Sequence, residues 1–335
     1  MAAQIKKEAV LDETALRKKA IIKQRIISII PLIACLILAA LYLIFASIKG
    51  YSISIGLQTI ISDATLVALV ATGATFIFTS GSFDLSLGSN MLVSALLGGL
   101  VGSATNSLVL MLLTSIGVAV LLSVLNTSLA SVFNLPVFIM TIVMMSVYGA
   151  VATLILTTLG KNAQISVPMA LVEPLNTTWF RVILIVGYEL LCLFLFYILK
   201  LGRQQKFLGG NPFCAYLSGI KSKRLTIISF ALAGIGIGLA AFSMTVQTPT
   251  LSASSGSSVG MNMLIALVFG GMTMSGGPKS KMYAALLGAF SMSFLDAFMN
   301  IFVSGSWYLQ IVKGVLFIIV VFLINMGNKV KLLER

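Results

Sequence analysis

Histidine is absent from this 335-residue chain, and acidic residues number only nine. No imidazole is available as general base, zinc ligand or proton shuttle. Cysteine is equally thin. Cys35, Cys192 and Cys214 lie far apart and form no CxxC or other ligand spacing, so they read as packing residues. No GxxxxGK(S/T) sequence occurs, which excludes a P-loop and leaves ATP-driven work to a separate subunit. Charge is scarce as well: 9% of residues are charged and 59% hydrophobic, whereas a soluble domain carries about 25% charged residues. An ordinary water-facing surface cannot be assembled from that composition. Without histidine or clustered carboxylates, a membrane enzyme is the weakest class. What the chain does have is long apolar runs from Ile26 to Met326, the mark of an all-α polytopic membrane protein.

Ten apolar stretches fall at about 26–48, 57–80, 89–104, 107–130, 137–159, 180–200, 225–247, 261–275, 283–302 and 308–326. Those at 89–104 and 261–275 are shorter than the roughly 20 residues a crossing needs. They extend through their Gly/Ser-rich flanks or are broken or re-entrant, which is tolerable only where protein or a water-filled path satisfies the backbone. The net charge of +13 reports orientation rather than nucleic-acid binding. Ten crossings put both termini in the cytoplasm. Eighteen of the 22 basic residues then lie inside: seven in the N-terminal tail, six around 200–224, Lys279, Lys281, and three at the C-terminus. The N-terminal tail is too long and the first apolar core too extended for a cleaved signal, so a retained first helix is expected. A short surface helix in that tail is a further option.

Polar residues inside the apolar stretches single themselves out, because they are costly unless paired or facing a cavity. Asp296 and Lys313 sit at similar depth in consecutive spans and are expected to form an intramembrane pair. Glu189 and Asp63 face either the bundle or an aqueous path; Glu189 keeps a proton-coupled secondary transporter in play. The segment 76–91, FIFTSGSFDLSLGSNM, sets Asp84 between Gly81 and Gly88. It is either a capped helix-to-helix turn on the cytoplasmic side or a turn that also shapes a gate. A comparable break, VFGGMTMSGGPKSKM, spans 268–282. The ALLG strings at 95–98 and 285–288 hint at duplication but are matched equally well by chance. Gly98 with Gly102, and Gly234, Gly236 and Gly238, read as helix-packing sites. The uncharged segment 248–260 suits a mobile surface or a lip beneath a solute-delivering protein.

The basic segment 201–224 is more specific. Asn211 is an N-cap residue type, Pro212 suits the first helical position, and Gly219 suits termination. The sequence predicts a short helix carrying Phe213 and Tyr216 outside the bilayer, buried either in a partner's groove or on its own bundle.

Several motifs taken in order resemble the membrane subunit of bacterial ABC importers for monosaccharides, the ribose-type permease family. They are Gly81-Ser82-Phe83-Asp84-Leu85-Ser86-Leu87-Gly88-Ser89, Asn126 followed by Pro136-Val137-Phe138-Ile139-Met140-Thr141, the run Gly209 to Ile220, the pairs Gly270-Gly271 and Gly276-Gly277, and Gln310-Ile311-Val312-Lys313-Gly314. The likeness covers about 55–325. It implies a permease domain over 26–326 with cytoplasmic tails at 1–25 and 327–335 and a coupling loop at 201–224. It implies no cofactor in this chain, ATP and Mg2+ in two cytoplasmic ATPase subunits, a second permease copy or related permease, an extracytoplasmic sugar-binding protein, and no nucleic acid. Asn211, Pro212, Phe213, Ala215, Tyr216, Ser218 and Gly219 are the implied contacts to the ATPase. Asp84, Ser86, Asn126, Phe138 and Asn262 are candidates for the path or its gate. The implied solute is a monosaccharide such as ribose; nucleosides and branched-chain amino acids are carried by related families. The chain departs at 260–266, where Gly260 and Asn262 replace two acidic residues of the family pattern, and at Cys214 and Phe83.

Overall fold

A computed structural model describes residues 29–272, 276–302 and 306–327. The basic N-terminal tail and the C-terminal Lys329, Lys331 and Arg335 lie outside the described residues. The helices in chain order are α1 (Ile29–Ile48), α2 (Ile53–Thr79), α3 (Leu87–Thr105), α4 (Leu108–Val132), α5 (Val137–Leu159), the single turn α6 (Met169–Val172), α7 (Thr178–Leu193, continued by a π-turn at Phe194–Ile198), α8 (Lys200–Gly210), α9 (Pro212–Leu217), α10 (Ser222–Gln247), α11 (Val259–Phe269), α12 (Tyr283–Asn300) and α13 (Ser306–Gly327). Among the described residues, seven of these (α1 to α5, α7 and α10) are long and apolar enough to cross a membrane. Each of the ten expected apolar stretches carries a helix. The stretch at 261–275 departs most: α11 has 11 residues, about 16 Å at 1.5 Å per residue, too short to cross alone.

Two helices form the centre. From Ala64 to Thr79, α2 is buried on nearly every face, and α10 is buried similarly between Ser229 and Val246. They pack on each other, α10 also on α4 and α3, and α2 on α12 and α7. Lipid tails are as apolar as leucine, so this association cannot draw on apolar burial from water; it needs close van der Waals contact through small residues. The glycines supply it. A Cβ on Gly234 would lie 2.6 Å from the Val120 Cα of α4, and one on Gly73 would lie 2.8 Å from the Ala233 Cα of α10. Gly238 has its back to Ile116 in the same way, while Gly98 and Gly102 seat α3 on Ser115 and Met111 of α4. The glycine clusters are therefore packing surfaces, as their spacing implies.

Two irregular stretches pack against the bundle through a few buried residues. Residues 81–86 connect α2 to α3; Asp84 and Ser86 are fully buried, Ser82, Phe83 and Leu85 partly so, and Gly81 is exposed. The segment 248–258 leaves Thr248, Thr250, Ala253, Ser254, Ser257 and Ser258 exposed but is anchored at several points. Its start pairs antiparallel with the 160–177 connection through β1 (Ile165–Ser166) and β2 (Thr250–Leu251), with Ile165 opposite Leu251. Leu251 is buried near Gly99 of α3, and Gly256 packs on Met91. Gly260 then abuts Gly88, each backbone within 3.5 Å of where the other's Cβ would be. The chain thus descends along α3 before α11 begins. The N-termini of α3 and α11 meet within the bundle, backbone to backbone.

Two alanine substitutions separate packing from propensity. Gly234→Ala is expected to lower the thermal unfolding midpoint of the detergent-purified protein, since overpacking costs about 1–3 kcal/mol. Gly117→Ala on α4, whose Cβ would meet nothing within 4 Å, is expected to leave the midpoint unchanged or raised.

Candidate functional site

The short helix expected in the basic segment is present, and its local chemistry explains it. The Asn211 side chain accepts a hydrogen bond from the Cys214 N–H at 3.0 Å, and Pro212 occupies the first turn. Termination comes at Gly219, whose φ of +77° is a conformation glycine adopts without steric cost. Ala215 is buried with Leu208 and Leu225. Ser218 caps the C-terminal end. Three large side chains are left without cover: Phe213, Tyr216 and Leu217 are 70%, 73% and 68% exposed.

The preceding helix α8 was not legible as a separate element. It follows one extended residue, Leu199, and buries Gly202, Gln205 and Leu208 along one face. Gln205 donates to the Ser229 hydroxyl at 2.8 Å, joining α8 to α10. The Lys206 ammonium lies 4.6 Å and 4.9 Å from the ring centroids of Phe196 and Tyr197 in the π-turn. Burial there pushes it below the ordinary lysine range.

Where α8 ends, three backbone segments converge with no side chain between them. A Cβ on Gly209 would overlap the Thr79 carbonyl oxygen of α2 and approach the Gly277 nitrogen at 2.8 Å. One on Gly276 would overlap the Phe78 carbonyl and come within 3.0 Å of Gly81 N. Gly277, at φ +81°, lies 3.1 Å from the Gly210 Cα by the same measure. The second Gly-Gly pair of 268–282 is thus explained: it lets that break, the end of α2 and the lead into α9 share one junction.

Deeper in the bundle, the break before α3 is closed by a chain of hydrogen bonds. Asp84 Oδ1 accepts from the Ser86 N–H and the Ser86 hydroxyl, both at 2.7 Å. Ser86 Oγ accepts from Asn126 Nδ2 at 2.8 Å, and Asn126 Oδ1 accepts from the Tyr148 hydroxyl at 2.7 Å. Asp84, Ser86 and Asn126 thus come together, with Tyr148 of α5 as a fourth member the sequence did not reveal; a lone tyrosine amid apolar residues of one span was its only signal. Phe138 is apart from this chain. It is 45% exposed; its ring lies 6.4 Å from that of Phe83 between centroids, and its carbonyl accepts from the Thr141 hydroxyl, which in turn accepts from the Leu85 N–H.

Asn262 belongs to a different cluster. Lys313 Nζ donates to Asp296 Oδ2 at 2.8 Å and to Asn262 Oδ1 at 3.1 Å, so the expected pair forms and recruits Asn262 as a third member. Asp63 of α2 is near enough for both charges to act on it. Glu189 stands elsewhere, buried between α7 and α2, with Oε2 accepting from the Thr72 hydroxyl at 2.7 Å.

A family profile described as "Branched-chain amino acid transport system / permease component" matches residues 56–321. The ribose import permease protein of Escherichia coli is 26% identical over 277 residues, 80% of this chain and 85% of that protein. Its Bacillus subtilis counterpart is 26% identical over 285 residues, 80% and 84% of the two chains. The autoinducer 2 import system permease protein of Salmonella choleraesuis is 24% identical over 291 residues, 84% and 81%. No solved structure matches the chain.

A double-mutant cycle tests the pair. Removing one partner of a largely buried ion pair costs about 3–5 kcal/mol, so Lys313→Met alone is expected to destabilise the protein strongly. Asp296→Asn with Lys313→Met is expected to recover most of that loss in thermal unfolding.

Proposed function

This chain belongs to the family of branched-chain amino acid transport system permease components, and from that premise we propose how its parts divide the labour of import. It is a multi-pass permease subunit of a bacterial ATP-binding-cassette importer and catalyses no reaction itself. The energy for uptake then comes from ATP hydrolysed by separate ATPase subunits, not from a proton taken up at Glu189. That carboxylate already accepts a hydrogen bond from Thr72 and serves as a tie between α7 and α2.

The observation that carries the coupling assignment is α9. A capped helix of six residues presents Phe213, Tyr216 and Leu217 uncovered, on a segment whose six basic residues from Lys200 to Arg224 include no acidic neighbour. Three adjacent apolar side chains outside the spans require burial in a partner, and the positive-inside rule puts that partner in the cytoplasm. The ATPase receives Phe213, Tyr216 and Leu217 in a groove, while Asn211, Pro212, Ser218 and Gly219 hold the helix in shape and Ala215 packs it on Leu208 of α8 and Leu225 of α10. ATP and Mg2+ bind in that partner, and no cofactor is assigned to this chain.

Closure of the ATPases displaces α9. The glycine junction passes the displacement to the end of α2, next to the break that holds Asp84. The Asp84–Ser86–Asn126–Tyr148 chain ties that break to α4 and α5, so it moves with them as a gate element. Phe138 covers it from outside through Phe83. A second permease completes the path, and an extracytoplasmic binding protein delivers the solute. That solute is proposed to be a monosaccharide, because two of the relatives described are ribose permeases.

Phe213→Asp and Tyr216→Asp are expected to reduce stimulation of the ATPase at least tenfold while thermal unfolding is unchanged. Full coupling in both variants would remove the docking assignment. Uptake by proteoliposomes that contain this chain without the ATPase would overturn the importer mechanism.

A further inference from the structure

The surface of a membrane subunit within the bilayer meets lipid, another protein or water, and side-chain chemistry distinguishes them. On α4, every exposed residue is valine, leucine or glycine. On α1 from Ile29 to Ile44, every exposed residue is isoleucine, leucine or alanine. These faces suit lipid.

The first half of α2 differs. Ile60 and Ala64 are buried, Ile60 against α1 and α12. The opposite face carries Gln58, Thr59, Ser62 and Asp63, spaced i, i+1, i+4 and i+5 and therefore on one side of the helix. Gln58, Thr59 and Asp63 are exposed and Ser62 is partly so. Asp63 lies ten residues into α2, about 15 Å from its start at 1.5 Å per residue, well below the surface for a helix of this length. The Asp296–Lys313 pair is close enough to act on Asp63, and Lys313 also holds Asn262 of α11. A carboxylate, an amide and two hydroxyls facing hydrocarbon together would cost several kcal/mol, so lipid does not cover them.

We infer that this face of α2, close to the Asp296–Lys313 pair, lines the water-filled path, and that Gln58, Thr59, Ser62 and Asp63 hydrogen-bond a neutral, hydroxyl-rich solute. The inference rests on the permease reading and its proposed monosaccharide, and adds to it the side of the subunit that meets the path and the residues that meet the solute. Hydroxyls, an amide and a carboxylate offer both donors and acceptors to a polyol. Two carboxylates against one ammonium leave a single negative charge, which opposes a phosphorylated or otherwise anionic solute. Asn262, the candidate chosen from the sequence, is hydrogen-bonded to Lys313; the exposed polar side chains are those of α2.

The test is thiol labelling in proteoliposomes of the assembled importer with its ATPase and binding protein. Thr59→Cys and Ser62→Cys are expected to react with a charged, membrane-impermeant methanethiosulfonate at least tenfold faster than Leu121→Cys on α4 and Ile37→Cys on α1. D-ribose is expected to slow the reaction at Ser62→Cys, and ribose 5-phosphate to leave it unchanged. Equal rates at all four positions would overturn the path assignment. Protection by the phosphate ester, or by neither compound, would overturn the solute class. Uptake is followed in the same vesicles. Uptake without ATP would overturn the permease reading, whereas ATP-dependent uptake with α2 unlabelled would overturn this inference alone.

Discussion

Backbone that is not helical can exist within a bilayer only if protein or enclosed water satisfies its polar groups. That constraint organises this subunit. Two breaks, at 81–86 and 252–258, pack against the bundle: Asp84 and Ser86 are fully buried in the first, and Gly256 of the second sits on Met91 of α3. The meeting of Gly88 with Gly260 shows the principle in its simplest form. Two helix starts, each with unpaired N–H groups at its first turn, share one enclosed site inside the bundle. A Cβ at Gly88 would lie 3.2 Å from the Gly260 nitrogen, closer than a relaxed contact, so the two backbones meet at nearly the shortest distance they can.

The same constraint explains why buried polar residues appear as chains rather than singly. Asp84, Ser86, Asn126 and Tyr148 pass hydrogen bonds from a connecting segment to two separate helices. Asn90 repeats the pattern one turn deeper, donating to Ser123 and to the Ala119 carbonyl. Such networks fix the rotation of each helix about its own axis, which apolar packing alone leaves loosely specified. In a protein that must occupy two conformations, linked polar groups also make the change cooperative: a helix cannot rotate without its partners.

Much of this was legible in the sequence, for reasons that can be named. Helices follow from the length of apolar runs, and ten runs became ten helices. The cap of α9 was readable because Asn211, Pro212 and Gly219 act within a few residues of one another. The Asp296–Lys313 pair was readable because matched depth in adjacent spans leaves opposite charges one sensible partner. What escaped depends on rotation and on distant backbone. Asn262 was grouped with Asp84 and Ser86, yet helix rotation gave it to Lys313. The enclosed state of Asp84 depends on helices far away in sequence, and so does the pairing of 165–166 with 250–251. The exposed stripe on α2 was hidden because the span as a whole is apolar; only burial of Ile60 and Ala64 tells which side is outward.

The junction at Gly209, Gly276 and Gly277 has a mechanical consequence. Side chains that pack together can absorb a push by changing rotamer, so part of any displacement is lost in the linkage. Carbonyl against Cα has no such slack. Under the docking proposed for α9, a stroke delivered there would reach Thr79 with little loss, and the same stiffness would run in reverse, carrying a change at the far end of α2 back to the docked partner without any diffusing messenger.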